Sequence, residues 1–149
     1  GYIPGENDFY RQANALDNLI TLCPRCHRHA ETARRVRGAS SGLAHALRQL
    51  APLYLMCDPR DIGCVVESRS AHTARPTITL YDQVPGGIGL CVQLYDLCEE
   101  WLHATRDLVM HCDCYDGCPA CVGPVEDAST QIKSKTLRLV GVLLDEVAS

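Results

Sequence analysis

Four cysteines within ten residues constrain this chain more than any other feature. They lie in Cys112-Asp113-Cys114-Tyr115-Asp116-Gly117-Cys118-Pro119-Ala120-Cys121, spaced C-x-C-x3-C-x-x-C. An extended Cys112–Cys114 segment puts both sulfurs on one side, because side chains alternate along a strand. Gly117 and Pro119 permit a tight turn that returns Cys118 and Cys121 to the same point. Four thiolates at about 2.3 Å from one ion form the closed tetrahedral set of structural zinc, with no position left for a substrate. Two disulfides, or four unrelated buried thiols, are the competing readings. Ten cysteines in 149 residues stay just under the density of secreted disulfide scaffolds. A redox C-x-x-C is expected to open a helix after a strand, whereas Cys121 runs into Val122-Gly123-Pro124. Zinc is therefore the expected cofactor, with Cys112, Cys114, Cys118 and Cys121 as its ligands.

A chain of this length is one domain by size and buries roughly 68–70% of its unfolded surface. With 46% apolar residues but one Trp and one Phe, the core must come from Leu, Val, Ala and Ile. The opening Gly1-Tyr2-Ile3-Pro4-Gly5-Glu6 has neither the basic nor the apolar region of a signal peptide. No run approaches the about 20 apolar residues of a membrane span. A reducing, cytoplasmic setting without membrane contact is expected, and it favours metal over disulfides. The absence of an initial Met and the polar opening fit a piece of a larger protein. Net charge is −4, unevenly spread: residues 1–75 carry ten Lys/Arg against seven Asp/Glu, and residues 76–149 carry four against eleven. Between positions 25 and 48, Arg25, Arg28, Arg34, Arg35, Arg37 and Arg48 face only Glu31. An acidic chain thus holds one basic segment.

Residues 1–17 read as a polar arm or linker end. Asn18-Leu19-Ile20-Thr21-Leu22 reads as a short strand delivering Cys23-Pro24-Arg25-Cys26-His27, a second knuckle that supplies half a zinc site. Completing ligands would come from His27, His29, Cys57 and Cys64, or from sequence upstream of Gly1; unmetallated thiols are the alternative. The same ten residues resemble the second half of an HNH nuclease finger. That family needs an upstream Asp-His pair, and residues 1–17 contain no His, so its chemistry is not assembled. His29 to Arg37 reads as a helix broken by Gly38-Ala39-Ser40-Ser41-Gly42. Ser40 or Ser41 would cap a second helix with Leu43, Leu47 and Leu50 on one stripe, ended or kinked by Pro52.

Asp58-Pro59-Arg60-Asp61 is a turn by composition, and Ile62–Glu67 and Thr77–Tyr81 read as strands. Asp58, Asp61, Glu67 and Arg69 invite comparison with nuclease acids, but no Lys precedes Lys133, and solvated turn groups are the plainer reading. Asp82-Gln83-Val84-Pro85-Gly86-Gly87-Ile88-Gly89 follows the second strand and opens a helix. Its freed amides could hold an anion, or Asp82, Pro85, Gly86, Gly87 and Gly89 form a purely structural turn. Leu90, Leu94, Leu97, Trp101 and Leu108 then mark one long amphipathic helix, with Cys91 and Cys98 as core thiols. Leu137, Val140, Leu144 and Val147 mark a last one.

Tyr81-Asp82-x-x-Pro85-Gly86-Gly87-x-Gly89-Leu90, a helix, the four-cysteine run and a closing helix resemble a known family. It is the zinc-binding C-terminal domain of DEAD/DEAH-box superfamily 2 helicases of the mitomycin-repair type. Leu43-Ala44-His45-Ala46-Leu47 and Met56-Cys57-Asp58-Pro59-Arg60-Asp61-Ile62-Gly63 resemble the region preceding it there. The resemblance covers roughly residues 40–148, leaving the Cys23/Cys26 finger outside it. It implies a non-catalytic module that helps a 3′–5′ DNA helicase hold or separate strands. The chain holds no Walker A, DEAH-like or helicase arginine motif, so the motor is expected upstream or in a partner protein. The expected fold is α+β: a small sheet, packed helices and a zinc knuckle near the C-terminus. Residues 1–39 would form arm, finger and basic helix, and residues 40–149 the helicase-associated domain. DNA contact would run through Arg25, Arg28, Arg34, Arg35 and Arg37. The rival reading is an acidic, zinc-stabilised platform that docks on a motor subunit, as in helicase-associated proteins of phage defence.

Overall fold

The computed structural model describes residues 24–124 and 131–148, with side chains from residue 37 onward. The chain separates into the units Gly1–Glu31 and Thr32–Ser149, and the packing below is that of the second. Among the described residues the elements are helix α1 (Pro24–Leu55), strands β1 (Ile62–Glu67) and β2 (Thr77–Asp82), then helices α2 (Leu90–Asp96), α3 (Cys98–Met110) and α4 (Ile132–Val147). Four helices and a two-stranded sheet make this an α+β fold, as expected. No helix among the described residues is long and apolar enough to cross a membrane.

The start of α1 departs from the sequence reading. Pro24 to His27, read as a knuckle, lie in the helix, where a proline in the first turn is tolerated because its missing N–H has no intrahelical partner. Cys23 and the strand expected at Asn18–Leu22 lie outside the described residues. A second departure concerns Gly38-Ala39-Ser40-Ser41-Gly42, which does not break the helix. α1 runs unbroken through it for 32 residues. The cause is tertiary: Ala39, Ser40, Leu43 and Ala44 are buried, and Gly42 lies under α4. A Cβ on Gly42 would sit 2.5 Å from Thr136 Oγ1 and 3.2 Å from Val122 Cβ. Small residues here admit a close helix approach, and the packing outweighs the about 0.5–1 kcal/mol that a mid-helix glycine costs. The helix also passes Pro52 and ends at Leu55, where Met56 takes a left-handed φ of 51°.

β1 and β2 pair antiparallel, Ile62 opposite Asp82 through Glu67 opposite Thr77. A two-stranded ribbon alone is marginal in water, and α2 covers this one. The stripe read as a single helix is divided at Leu97, whose backbone (φ −99°, ψ 11°) is not helical. The division lets α2 lie on β2 while α3 runs along α4. Leu94 and Trp101 still reach one core with Leu43, Leu47, Ala51, Leu102, Val140 and Leu144. Trp101 donates its indole N–H to the Leu47 carbonyl at 3.2 Å, tying α3 to α1 and satisfying the one polar atom of a large apolar side chain. A second cluster of Ala46, Val109, Cys121, Val122 and Ile132 joins this core to the cysteines.

Candidate metal centre

α3 ends at Met110, and His111 closes it by donating its N–H to the Asp107 carbonyl at 3.0 Å. The chain then crosses Cys112 and Cys114 without regular structure and turns at Gly117. There φ is 119°, and a Cβ would lie 2.6 Å from Val122 Cγ2. Only glycine combines that dihedral with that clearance. The second pair is closed by a turn in which Cys121 and Val122 donate N–H to the Cys118 carbonyl at 3.1 and 3.0 Å.

The four sulfurs converge. Cys112 and Cys118 Sγ are 3.6 Å apart, Cys114 and Cys121 3.5 Å, and Cys118 and Cys121 3.7 Å; all four lie within 4.8 Å of one another. A tetrahedron with metal–sulfur bonds of about 2.3 Å has edges of about 3.8 Å. A disulfide would need about 2.05 Å, and all four thiols are free. The set therefore fits a zinc ion, and the disulfide reading fails. Among the described residues it is the one group of three or more His, Cys, Asp or Glu side chains placed to share a metal.

Protonation supports the same chemistry. The Cys118 thiol is lowered to about 7, first by the Ala120 backbone N–H and then by hydrogen bonding to Cys112. Burial pushes Cys121 up to about 12 and raises Cys114 as well. One thiolate forms readily, and further charge in so small a volume requires a cation, which deprotonates the remaining thiols on binding. The backbone N–H of Cys118 already points at Cys121 Sγ, 3.4 Å away.

One residue of this centre was not found from sequence. Lys133, at the start of α4, donates its ammonium to the carbonyls of both Cys112 and Cys114 and its backbone N–H to the Asp116 carbonyl at 3.0 Å. It lies twelve positions after Cys121, and nothing in the spacing of the cysteines points to it.

The other sequence candidates resolve differently. Asp82 occupies the loop read as a structural turn or an anion site: its carboxylate accepts N–H bonds from Ile88, Gly89, Leu90 and Cys91 at 2.8–3.1 Å. The turn through Pro85, Gly86, Gly87 and Gly89, with left-handed φ at the three glycines, brings those four amides around an anion the chain itself supplies, while the Gly87 N–H closes on the Val84 carbonyl at 2.9 Å. The Cys91 N–H above all holds that carboxyl down at about 2. Burial, and then hydrogen bonding to Asp82, pushes the Cys91 thiol up to about 11. Asp58 pairs with Arg60 in its turn at 3.0 Å, and neither joins Glu67 in a metal cluster. Cys57 and Cys64, offered as partners for Cys23 and Cys26, are half-buried free thiols that belong to no ligand cluster among the described residues. Arg25, Arg28, Arg34 and Arg35 lie on α1 ahead of the described side chains, and Arg37 is exposed.

The ATP-dependent helicase YprA of Bacillus subtilis (strain 168) is 39% identical over 99 residues, spanning 66% of this chain but 13% of the helicase. The protein MJ1572.1 of Methanocaldococcus jannaschii is 30% identical over 83 residues, 54% of this chain and 74% of that protein. A crystal structure of the DUF1998 helicase MrfA bound to DNA superposes on 74% of this chain and 15% of its own, with TM-score 0.69 and 35% identity. This chain is thus similar to a small part of the helicases and to most of the archaeal protein. Residues 43–122, just over half of the chain, match the sequence profile of the MrfA Zn-binding domain, from the core of α1 to the last cysteine's neighbour. The chain belongs to the MrfA Zn-binding domain family.

Proposed function

We propose that Cys112, Cys114, Cys118 and Cys121 hold one structural zinc in a non-catalytic accessory domain of an ATP-dependent DNA helicase. In this reading the domain helps the motor hold or separate strands during DNA repair in the cytoplasm. The observation that carries it is the closed set of four sulfurs, all within 4.8 Å of one another, in a domain shared with a helicase crystallised on DNA. When bound, the ion supplies cross-linking and not catalysis, since four protein ligands leave no open position. The chain's own residues do the rest. The cysteines join the end of α3 to the segment leading into α4, while Trp101 on α3 and Val140 and Leu144 on α4 hold those helices to α1. ATP hydrolysis belongs to a motor in the same or a partner chain.

DNA contact in this proposal runs through Arg25, Arg28, Arg34, Arg35 and Arg37, all on one helix. Guanidinium forks suit phosphate oxygens and read no sequence, so binding by this chain alone is weak, indifferent to sequence and steeply salt-dependent. The test is single-stranded DNA binding at low salt by wild type and by Arg34→Glu plus Arg35→Glu. Loss in the variant supports the assignment, and equal affinity removes the segment from the DNA path.

A second reading, a platform that docks on a motor subunit, has its own support. Ile88, Val92 and Tyr95 on and beside α2 are 59, 68 and 81% exposed. An open cleft of 360 Å³ lined by Asp96, Leu97, Glu99, Glu100 and His103 lies where α2 meets α3. No DNA affinity in either protein above favours this reading. A second metal held by Cys23 and Cys26 with Cys57, Cys64 or His27 is likewise decided by stoichiometry. Two zincs per chain support it, and one zinc that survives Cys23→Ala plus Cys26→Ala rejects it.

A further inference from the structure

We infer that Lys133 is a positioning residue of the metal centre: its ammonium clamps the Cys112–Cys114 arm and sets how tightly zinc is held. The inference rests on the reading of the four cysteines as zinc ligands. Four thiolates around a divalent ion leave a net negative centre, and two acidic side chains, Asp113 and Asp116, lie in the same ten residues. A cation touches the backbone of this centre. Lys133 Nζ donates to the Cys114 carbonyl at 3.0 Å and also to the Cys112 carbonyl. Those two carbonyls belong to the arm that lacks a turn of its own. The Cys118–Cys121 pair is fixed by its backbone hydrogen bonds, whereas no such backbone bond closes Cys112 on Cys114 among the described residues.

The start of α4 reaches the knuckle at three points. The Lys133 ammonium holds the first arm, the Lys133 N–H holds the Asp116 carbonyl at 3.0 Å, and Ile132 packs with Cys121 and Val122. A half-buried lysine that satisfies two carbonyls gains hydrogen bonds in exchange for part of its hydration. Its charge also lowers the energy of the thiolates that zinc requires. Residues that orient metal ligands from outside the coordination sphere typically change metal affinity by about 10–100-fold when removed.

The experiment uses the zinc-loaded 149-residue chain and follows zinc transfer to a chromogenic chelator in excess. Wild type is compared with Lys133→Met, Lys133→Arg and Arg138→Met, a charge removed from the exposed side of the same helix. The expected result is transfer about 10–100-fold faster from Lys133→Met, with Lys133→Arg and Arg138→Met near the wild-type rate and helix content unchanged by circular dichroism. A wild-type rate from Lys133→Met overturns the inference, and so does Lys133→Arg releasing as fast as Lys133→Met. Should Lys133→Met not fold, Lys133→Gln, which keeps a donor and loses the charge, takes its place under the same criteria. Wild type that carries no zinc on metal analysis instead defeats the underlying assignment of the cysteines, so the two failures are told apart.

Discussion

Gly42→Ala should destabilise this domain, although alanine is the better helix former. The gain in propensity and backbone entropy is about 0.5–1 kcal/mol in favour of alanine. Against it stands the contact with α4. The added Cβ meets Thr136 Oγ1 at 2.5 Å, Val122 Cβ at 3.2 Å and Ile132 Cγ2 at 3.3 Å. Thr136 is fully buried, so its hydroxyl has no open space to move into. Overpacking of this kind costs about 1–3 kcal/mol, leaving a net loss of about 1–2 kcal/mol. For a chain near 150 residues that is a fall in Tm of about 2–8 °C. The assay is thermal unfolding of zinc-loaded protein, followed at 222 nm. A double-mutant cycle with Thr136→Ala isolates the contact, since the smaller side chain makes room and the double variant should lose less than the sum of the two single losses. If Gly42→Ala raises Tm, α1 and α4 do not meet here, and the break suggested by Gly38-Ala39-Ser40-Ser41-Gly42 is the better description.

Cys118→Ser should lose its zinc and unfold from α4 outward, with a large fall in Tm, because metal binding in such sites is folding free energy, about 10–16 kcal/mol in isolated fingers. A variant that keeps both zinc and wild-type Tm refutes the four-sulfur site. Asp82→Asn should lower Tm at pH 7 by weakening the acceptor of four amides. The wild-type carboxyl is depressed to about 2, so the stability it adds is complete above the ordinary carboxyl range of about 4 and is lost as pH falls toward 2. The gap between the two proteins should therefore close on acidification, with the acid release of zinc common to both. A gap that is constant from pH 7 to pH 3 rejects the charge as its origin. Tyr95→Glu plus Val92→Glu should leave stability within about 0.5 kcal/mol of wild type, as surface changes do, and abolish binding to a motor subunit if α2 is the docking face; unchanged binding excludes that face.

The parts legible from sequence were those whose geometry is set locally. C-x-C-x3-C-x-x-C confines four sulfurs within reach of one ion whatever the rest of the chain does. β-branched residues bounded by turn chemistry marked Ile62–Glu67 and Thr77–Tyr81 nearly as they stand in β1 and β2. The failures share a different cause. Gly38 to Gly42 carries every local signal of a helix break, and only the approach of Thr136, 94 positions later, makes those small residues useful inside a helix. The stripe from Leu90 to Leu108 keeps helical spacing across Leu97, so periodicity is blind to the change of direction there. Asp82 was legible as part of a structural turn, but not as its anion. Its role depends on the loop folding back until four amides point at one carboxylate.

Why the metal sits where it does follows from the connectivity. α3 and α4 run side by side, but the chain between them must leave one, cross the knuckle and start the other. α4 has no side-chain cap at its start. In place of a cap, the first turn of α4 is anchored outward, through Ile132 in the cluster with Cys121 and through Lys133 on the Cys112 and Cys114 carbonyls. The cysteines therefore do for this junction what a capping residue and a hydrophobic staple do for an ordinary helix, but with an ion as the fixed point. Removing the ion should loosen α4 first and the α1 contact at Gly42 with it. The pair β1–β2 and its Asp82 cap share no residue with the knuckle and should outlast it. Hydrogen exchange after chelation reads this order directly. Early loss of protection in α4 with retention in β2 supports it, and simultaneous loss everywhere shows instead that the zinc holds the whole domain as one cooperative unit.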